Sequence, residues 1–241
     1  MPRGTPDWAQ VAPQDLLARV LDDAEVAARL GSSSLFDRRG NVIYATTFGG
    51  GTPGWINSGV GGAAFARVSH RAAYLGGYSL RITSGTSSVT RAEATIVVPL
   101  MTTTPIGIEW VMVADFVTVL AGVNLLVRVG TAHTEYGFRY DYGDTDLERL
   151  DDGGSFVSVD DATIYATNLA VWSHIKYVID PVAREYVRAR AGSTLYDLSG
   201  LGGEQSVGSA LHRIDVTLHS LDDSGAEHGS FFGLLLVTVN E

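Results

Sequence analysis

The segment Trp172 to Leu198, WSHIKYVIDPVAREYVRARAGSTLYDL, constrains the fold of this chain more than any other. From Trp172 to Ile179 the side chains alternate: Trp172, His174, Lys176 and Val178 share one face, Ser173, Ile175, Tyr177 and Ile179 the other. A period of two over that length is a pleated strand. Asp180-Pro181 supplies a turn, because proline fixes φ and an aspartate side chain bonds the backbone ahead of it. Alternation resumes from Glu185 to Ala191, with Tyr186, Arg188 and Arg190 on one side and Val187, Ala189 and Ala191 on the other. A third short strand follows. Such a hairpin belongs to a sheet in an all-β domain. Trp172 reads as a core anchor, and Arg184, Arg188 and Arg190, with no paired acid, nucleophile or metal-ligand motif beside them, read as a solvated or subunit-facing edge.

The rest of the chain agrees. Hydrophobic residues make up 45% of the 241 and charged residues 18%, the balance of a globular protein able to bury a large core. The 28 glycines suit many turns and few long helices. Further strands are expected at 42–48, 63–69, 78–84, 89–99, 106–119, 122–130, 134–142, 155–159, 162–166, 211–221 and 230–239. Many strands broken by Gly, Asp and Ser turns imply a sandwich or barrel rather than βαβ units. One helix is expected over residues 13–30, where Leu17, Val20, Leu21, Ala24 and Ala28 line a stripe and Gly31 ends it. Residues 1–12 precede it as an extended arm containing Trp8. The division expected is an arm and helix over 1–34 and a β-sandwich over 35–241.

A formal net charge of −10 argues against nucleic acid or an anionic membrane as the main partner, since both require a basic footprint. Without cysteine there is no disulfide framework and no thiol chemistry. The opening MPRGTPDWAQ lacks the apolar stretch of a signal peptide, so synthesis in the cytoplasm without cleaved secretion is expected.

Three pieces of the β region carry a resemblance. Gly76-Gly77-Tyr78-Ser79-Leu80-Arg81-Ile82, the hairpin from Trp172 to Leu198, and the closing strand Phe231 to Val239 resemble concanavalin A-like and carbohydrate-binding-module-like jelly rolls. The whole arrangement, an N-terminal arm, SSSLFDRRGNVIYATTF, a Gly-Trp loop and then these strands, is similar to virion proteins of tailed bacteriophages. That resemblance implies an all-β jelly-roll (concanavalin A-like) antiparallel sandwich that decorates or cements a capsid, or forms part of a tail.

Chemistry is sparse by motif. Gly49-x-Gly51-x-x-Gly54 matches the letters of a dinucleotide fingerprint, but Pro53 and Trp55 continue a loop with no helix to receive a pyrophosphate. Asp141, Asp144 and Asp146 cluster around a turn and offer oxygens for a structural calcium ion, without the spacing of an EF-hand. Glu93, Glu109, Asp115 and Glu135 are the strand carboxylates available for glycoside hydrolysis; Glu109 and Asp115 share a face with Val111 and Val113 between them, which reads as a charged strand end. The six histidines are dispersed and no G-x-S-x-G elbow accompanies them. Tyr136, Phe138, Tyr140 and Tyr142 alternate along one strand, so all four project to one face. Either this is the inner face of the sandwich, or Tyr136, Tyr140 and Tyr142 form an exposed platform for sugar rings.

The expectation is therefore a non-enzymatic virion structural protein without catalytic, cofactor or metal residues. It acts in many copies through contacts with other capsid subunits, with Trp8, Leu17, Val20, Leu21 and Trp55 at the interface. The alternative is a carbohydrate-binding module with a glycan partner, and a glycoside hydrolase ranks below both.

Overall fold

The computed structural model of the chain describes residues 40–60, 65–72, 74, 77–84, 90–100, 102–115, 119–160, 172–222 and 228–241. The N-terminal arm, the helix expected over 13–30, interface candidates Trp8, Leu17, Val20 and Leu21, and the strand expected at 162–166 lie outside these residues. Among the described residues the elements are all strands, arranged as two antiparallel sheets packed face to face.

The first sheet has eight strands. At its centre β6 (Ile106–Ala114) pairs with β14 (Gly229–Val239). Beyond β6 come β10 (Ser173–Asp180), β11 (Glu185–Ala191) and β12 (Thr194–Gly202). On the other side of β14 lie β4 (Ser79–Thr83), then β3 (Phe65–Ser69), while β1 (Asn41–Thr46) pairs with the C-terminal half of β14. The six-stranded second sheet runs in the order β2 (Ile56–Val60), β5 (Thr90–Pro99), β13 (Glu204–Asp222), β7 (Val119–Asp141), β8 (Asp146–Leu150) and β9 (Phe156–Asp160).

Alternation decides what each strand buries. In the second sheet Ile214, Val216 and Leu218 face inward from β13, and Ala121, Val123 and Leu125 from β7. They meet Trp110, Met112, Ile175, Tyr177, Leu235 and Val237 of the first sheet. Each such large apolar side chain contributes about 1.5–3 kcal/mol on burial. Tyr136, Phe138, Tyr140 and Tyr142 belong to this core, at 0, 0, 0 and 2% exposure. Phe138 stacks on Tyr177 with centroids 5.2 Å apart, and Tyr136 meets Tyr186 edge-on at 5.2 Å.

The hairpin Trp172 to Leu198 forms as its sequence predicts, with one displacement. Asp180 Oδ1 accepts from the Val182 and Ala183 amides at 2.8 and 3.0 Å, which closes the expected turn. The register then shifts between Tyr186 and Arg188. This bulge separates Tyr186 from the arginines and swings it into the core at 1% exposure, whereas strict alternation had placed the three together. Its hydroxyl crosses to the other sheet. There it accepts from the Gly137 amide (2.9 Å) and lies 3.1 and 3.0 Å from the Gly137 and Leu150 carbonyls, to one of which it donates.

The strands expected at 122–130 and 134–142 are the two limbs of β7. It doubles back at Gly130 (φ +63), so that Tyr142 N donates to the Val119 carbonyl at 3.1 Å. Three stretches had no strand signal. β2 sits in the Gly-rich segment, β8 is short and charged, and the N-terminal part of β13 continues the strand expected at 211–221 after a register shift between Val207 and Leu211. Each owes its extended form to ladder partners rather than to composition.

On the outer face of the first sheet, Trp172 is half-buried against Val111, Leu234, Val113 and Phe231, with Tyr74 at 5.5 Å. It anchors a satellite cluster rather than the space between the sheets. Nearby, the fully buried Glu241 carboxylate takes Lys176 Nζ and Arg188 Nη2, both at 2.7 Å, together with the Thr238 hydroxyl. Arg188 thus has an acid partner 53 residues along the chain, which its neighbours in sequence did not disclose.

Candidate functional site

The outer face of the second sheet gathers the polar side chains that alternate with its core residues. Antiparallel pairing aligns them in rows across the strands. In one row Ser58, Glu93, His219 and Gly122 stand side by side; in the next, Thr95, Thr217 and Asn124. Asp215 and Leu126 form a third row, Arg213 and Arg128 a fourth. The return limb of β7 adds His133, Glu135, Gly137 and Arg139, and β8 adds Glu148 opposite Arg139.

These groups are tied to one another. Arg128 Nε donates to Asp215 Oδ2 at 3.0 Å, and Arg213 holds the same carboxylate from 2.9 and 3.2 Å. Arg139 is ion-paired with Glu148 at 2.5 Å and Arg91 with Glu93 at 2.5 Å. Ser58 donates to Glu93 at 3.1 Å, the Thr95 and Thr217 hydroxyls are 2.9 Å apart, and Asn124 Nδ2 donates to Glu135 at 2.8 Å. The Arg139 guanidinium lies 4.0 Å over the ring of Phe156, and the Phe156 and His219 rings meet at a steep angle with centroids 6.4 Å apart.

Two glycines shape the middle of this face. A Cβ on Gly122 would come within 2.5 Å of Arg139 Cα, and one on Gly137 within 2.8 Å of Asn124 Oδ1 and 3.0 Å of Phe156 Cζ. Only a residue without a side chain permits the two limbs of β7 and the Phe156 ring to approach so closely. Around this slot sit two deeply covered polar residues, Asn124 (5% exposed) and His219 (3%). Among the described residues, Asn124 Oδ1 and His219 Nδ1 have no hydrogen-bond partner. Burial, with Arg91 and Arg139 adding to it, pushes the His219 imidazole well below its ordinary range, so it is neutral near pH 7. Both atoms are enclosed, and an enclosed polar atom without a partner is costly, which makes this the tightest and least accommodating part of the face.

The residues singled out in the sequence fall elsewhere, with two exceptions. Tyr136, Tyr140 and Tyr142 cannot stack on a sugar, because period two shows that they share a face and the sandwich makes that face the inner one. Trp55 is half-buried on the margin of the core, its ring 5.7 Å from Phe48 and its Nε1 donating to the Tyr44 hydroxyl at 3.1 Å. Glu109 and Asp115 lie on the first sheet, where Asp115 accepts from the Gly229 amide at 2.8 Å and meets Arg71 and Arg81. Asp141 Oδ1 is engaged by the Gly143 and Asp144 amides at 2.8 and 3.2 Å, so it serves its own turn. Among the described residues no group of three His, Asp or Glu side chains is placed to hold a metal ion. Glu93 and Glu135 are the candidates that do reach the polar face. Asn124, His219, Arg128, Arg139 and Asp215 were missed. For Asp215 and His219 the signal was polar alternation in Arg213-x-Asp215-x-Thr217-x-His219; Asn124, Arg128 and Arg139 on β7 had no comparable run.

No protein-family model matches the chain, and no curated protein matches it. Solved structures resemble its fold. A carbohydrate esterase of the Shiga toxin-encoding bacteriophage phi24B superposes with a TM-score of 0.54 at 12% identity, over 84% of this chain and 100% of that one. A Bacillus subtilis protein of unknown function with a galectin-like fold gives 0.52 at 10%, over 85% and 99%. The β-glucanase of Bacillus licheniformis gives 0.50 at 10%, over 81% and 97%. At these identities the likeness is one of fold, and it makes the two sheets a jelly-roll, concanavalin A-like sandwich.

Proposed function

We propose that the protein binds carbohydrate on the outer face of the second sheet and does not cleave it. The observation that carries this reading is the mixed array of half-buried donors and acceptors, Thr95, Thr217, Glu135 and Arg128, which strand pairing and the Asn124–Glu135 bond gather on that face. Sugar hydroxyls both donate and accept, and such a mixed array of fixed donors and acceptors suits them. Binding without hydrolysis is favoured because Glu93, Asp215 and Glu148 are each ion-paired with arginine. Glycoside hydrolysis works instead through two carboxyl groups that flank one bond. The fold likeness adds that proteins named for carbohydrate substrates, an esterase and a glucanase, use the same scaffold.

Affinity electrophoresis through gels containing polysaccharide, followed by calorimetry, tests the site. Asn124→Ala and Glu135→Ala are expected to weaken binding about tenfold each, the worth of a lost hydrogen bond or two at about 1 kcal/mol apiece. Tyr136→Phe, altered inside the core, should bind as the parent does. Equal retention of all four proteins would remove the site from this face.

A second reading sets the sandwich on a virus particle as a multi-copy decoration, cement or capsid-associated subunit. It is supported by the similarity of organisation to tailed-phage virion proteins, and the fold likeness to a phage esterase is compatible with it. Many copies on a repeating shell would turn weak individual glycan contacts into firm attachment. Sedimentation with purified particles tests it; a chain that stays monomeric and never travels with virions would rule it out.

A further inference from the structure

We infer that the face binds neutral glycans and discriminates against uronic, sialylated or sulfated ones. This rests on the carbohydrate-binding reading and adds the class of sugar. The charge pairing of the face carries it.

Four guanidinium groups, Arg91, Arg128, Arg139 and Arg213, stand on this face with four carboxylates, Glu93, Glu135, Asp215 and Glu148. Every one of those arginines is already in an ion pair with a carboxylate of the same face, at 2.5 to 3.0 Å. Asp141 and Asp146, paired at the β7–β8 end, add negative charge there. An anionic sugar that engaged one of these guanidiniums would displace its partner or lie beside it, with like charges in contact. A neutral hydroxyl has no such conflict, because it accepts from the arginine while donating to the carboxylate, so the ion pair becomes a two-point clamp.

Retention of the full chain is to be measured on neutral polysaccharides (a soluble β-glucan, a galactomannan and an unsubstituted xylan) and on anionic ones (polygalacturonate, hyaluronate and heparin). The expected result is binding to at least one neutral polymer and at least about tenfold weaker binding to every anionic one. Affinity for the neutral polymer should change less than about twofold between roughly 0.05 and 0.5 M salt, since no net ion pair forms. Asp215→Asn, which releases Arg128 and Arg213 from their shared carboxylate, should raise retention on the anionic polymers and make it salt-sensitive. Binding of the parent to an anionic polymer as tightly as to a neutral one would overturn the inference and leave the carbohydrate-binding reading standing. Retention on none of the polymers would overturn both.

Discussion

His174 shows how a single covered side chain ties stability to pH. Its Nε2 lies 2.9 Å from the Tyr74 hydroxyl, with Trp172 and Val111 nearby on the same outer face of the first sheet. Burial first, then the positive charge of Arg190, holds the imidazole down to about 4, against 6.5 for a free one. The folded state therefore refuses a proton that the unfolded chain takes up. Stability from this residue is complete above about pH 6.5 and is lost as the pH falls from there toward 4, at up to about 1.4 kcal/mol per pH unit. His219, on the other sheet, acts with the same sign. Denaturant titrations between pH 7.5 and 4.5 should show this decline, and His174→Gln should flatten part of it. Equal slopes in the parent and the variant would mean that His174 is not the group responsible.

Among the elements, β11 reaches furthest into the site without touching it. The bulge that turns Tyr186 inward lets its hydroxyl take over the Gly137 amide, directly beneath the slot lined by Asn124 and Phe156. Tyr186→Phe should cost about 1–3 kcal/mol, the penalty for leaving buried backbone groups unpaired. Glycan affinity should fall with it, because Gly137 loses the strut that fixes its height. An unchanged urea midpoint would show that the backbone finds other partners. The alternation of Glu185–Ala191 was readable in the sequence, and the strand is where it was expected. The bulge was not readable, since a register shift is set by the partner strand. Likewise the periodicity of Tyr136, Phe138, Tyr140 and Tyr142 disclosed a common face but not which one, because that depends on the sheet stacked against it. Asn124 and Thr217 are neighbours across β7 and β13 although 93 positions separate them, so no local pattern brought them together.

For the whole molecule, strand number and turn chemistry were enough to indicate a sandwich or barrel, and the resemblance to jelly rolls selected the sandwich. The order of strands was not indicated, since β14 pairs with β1, β4 and β6, all far away in sequence. The polar face follows from that order rather than from any motif. Once β5, β13 and the two limbs of β7 are adjacent, residues that looked like ordinary solvent-facing strand positions become a single array. The division between an N-terminal arm and the sandwich stands as an expectation, its arm lying outside the described residues.

The Glu241 carboxylate also bears on how quickly the protein reaches its native form. Its partners come from β10, β11 and β14, so the cluster closes only after strands distant along the chain have met. Chains dominated by such non-local pairings fold in milliseconds to seconds, limited by the search for topology. A contact assembled after the rate-limiting step affects the rate of escape rather than the rate of arrival. Stopped-flow measurements on Glu241→Gln should accordingly show faster unfolding and nearly unaltered refolding. A refolding limb slowed as much as unfolding is hastened would place this carboxylate in the nucleus instead. In the first case the buried acid acts as a latch: it sets the lifetime of the folded sandwich and leaves its rate of formation to the strands.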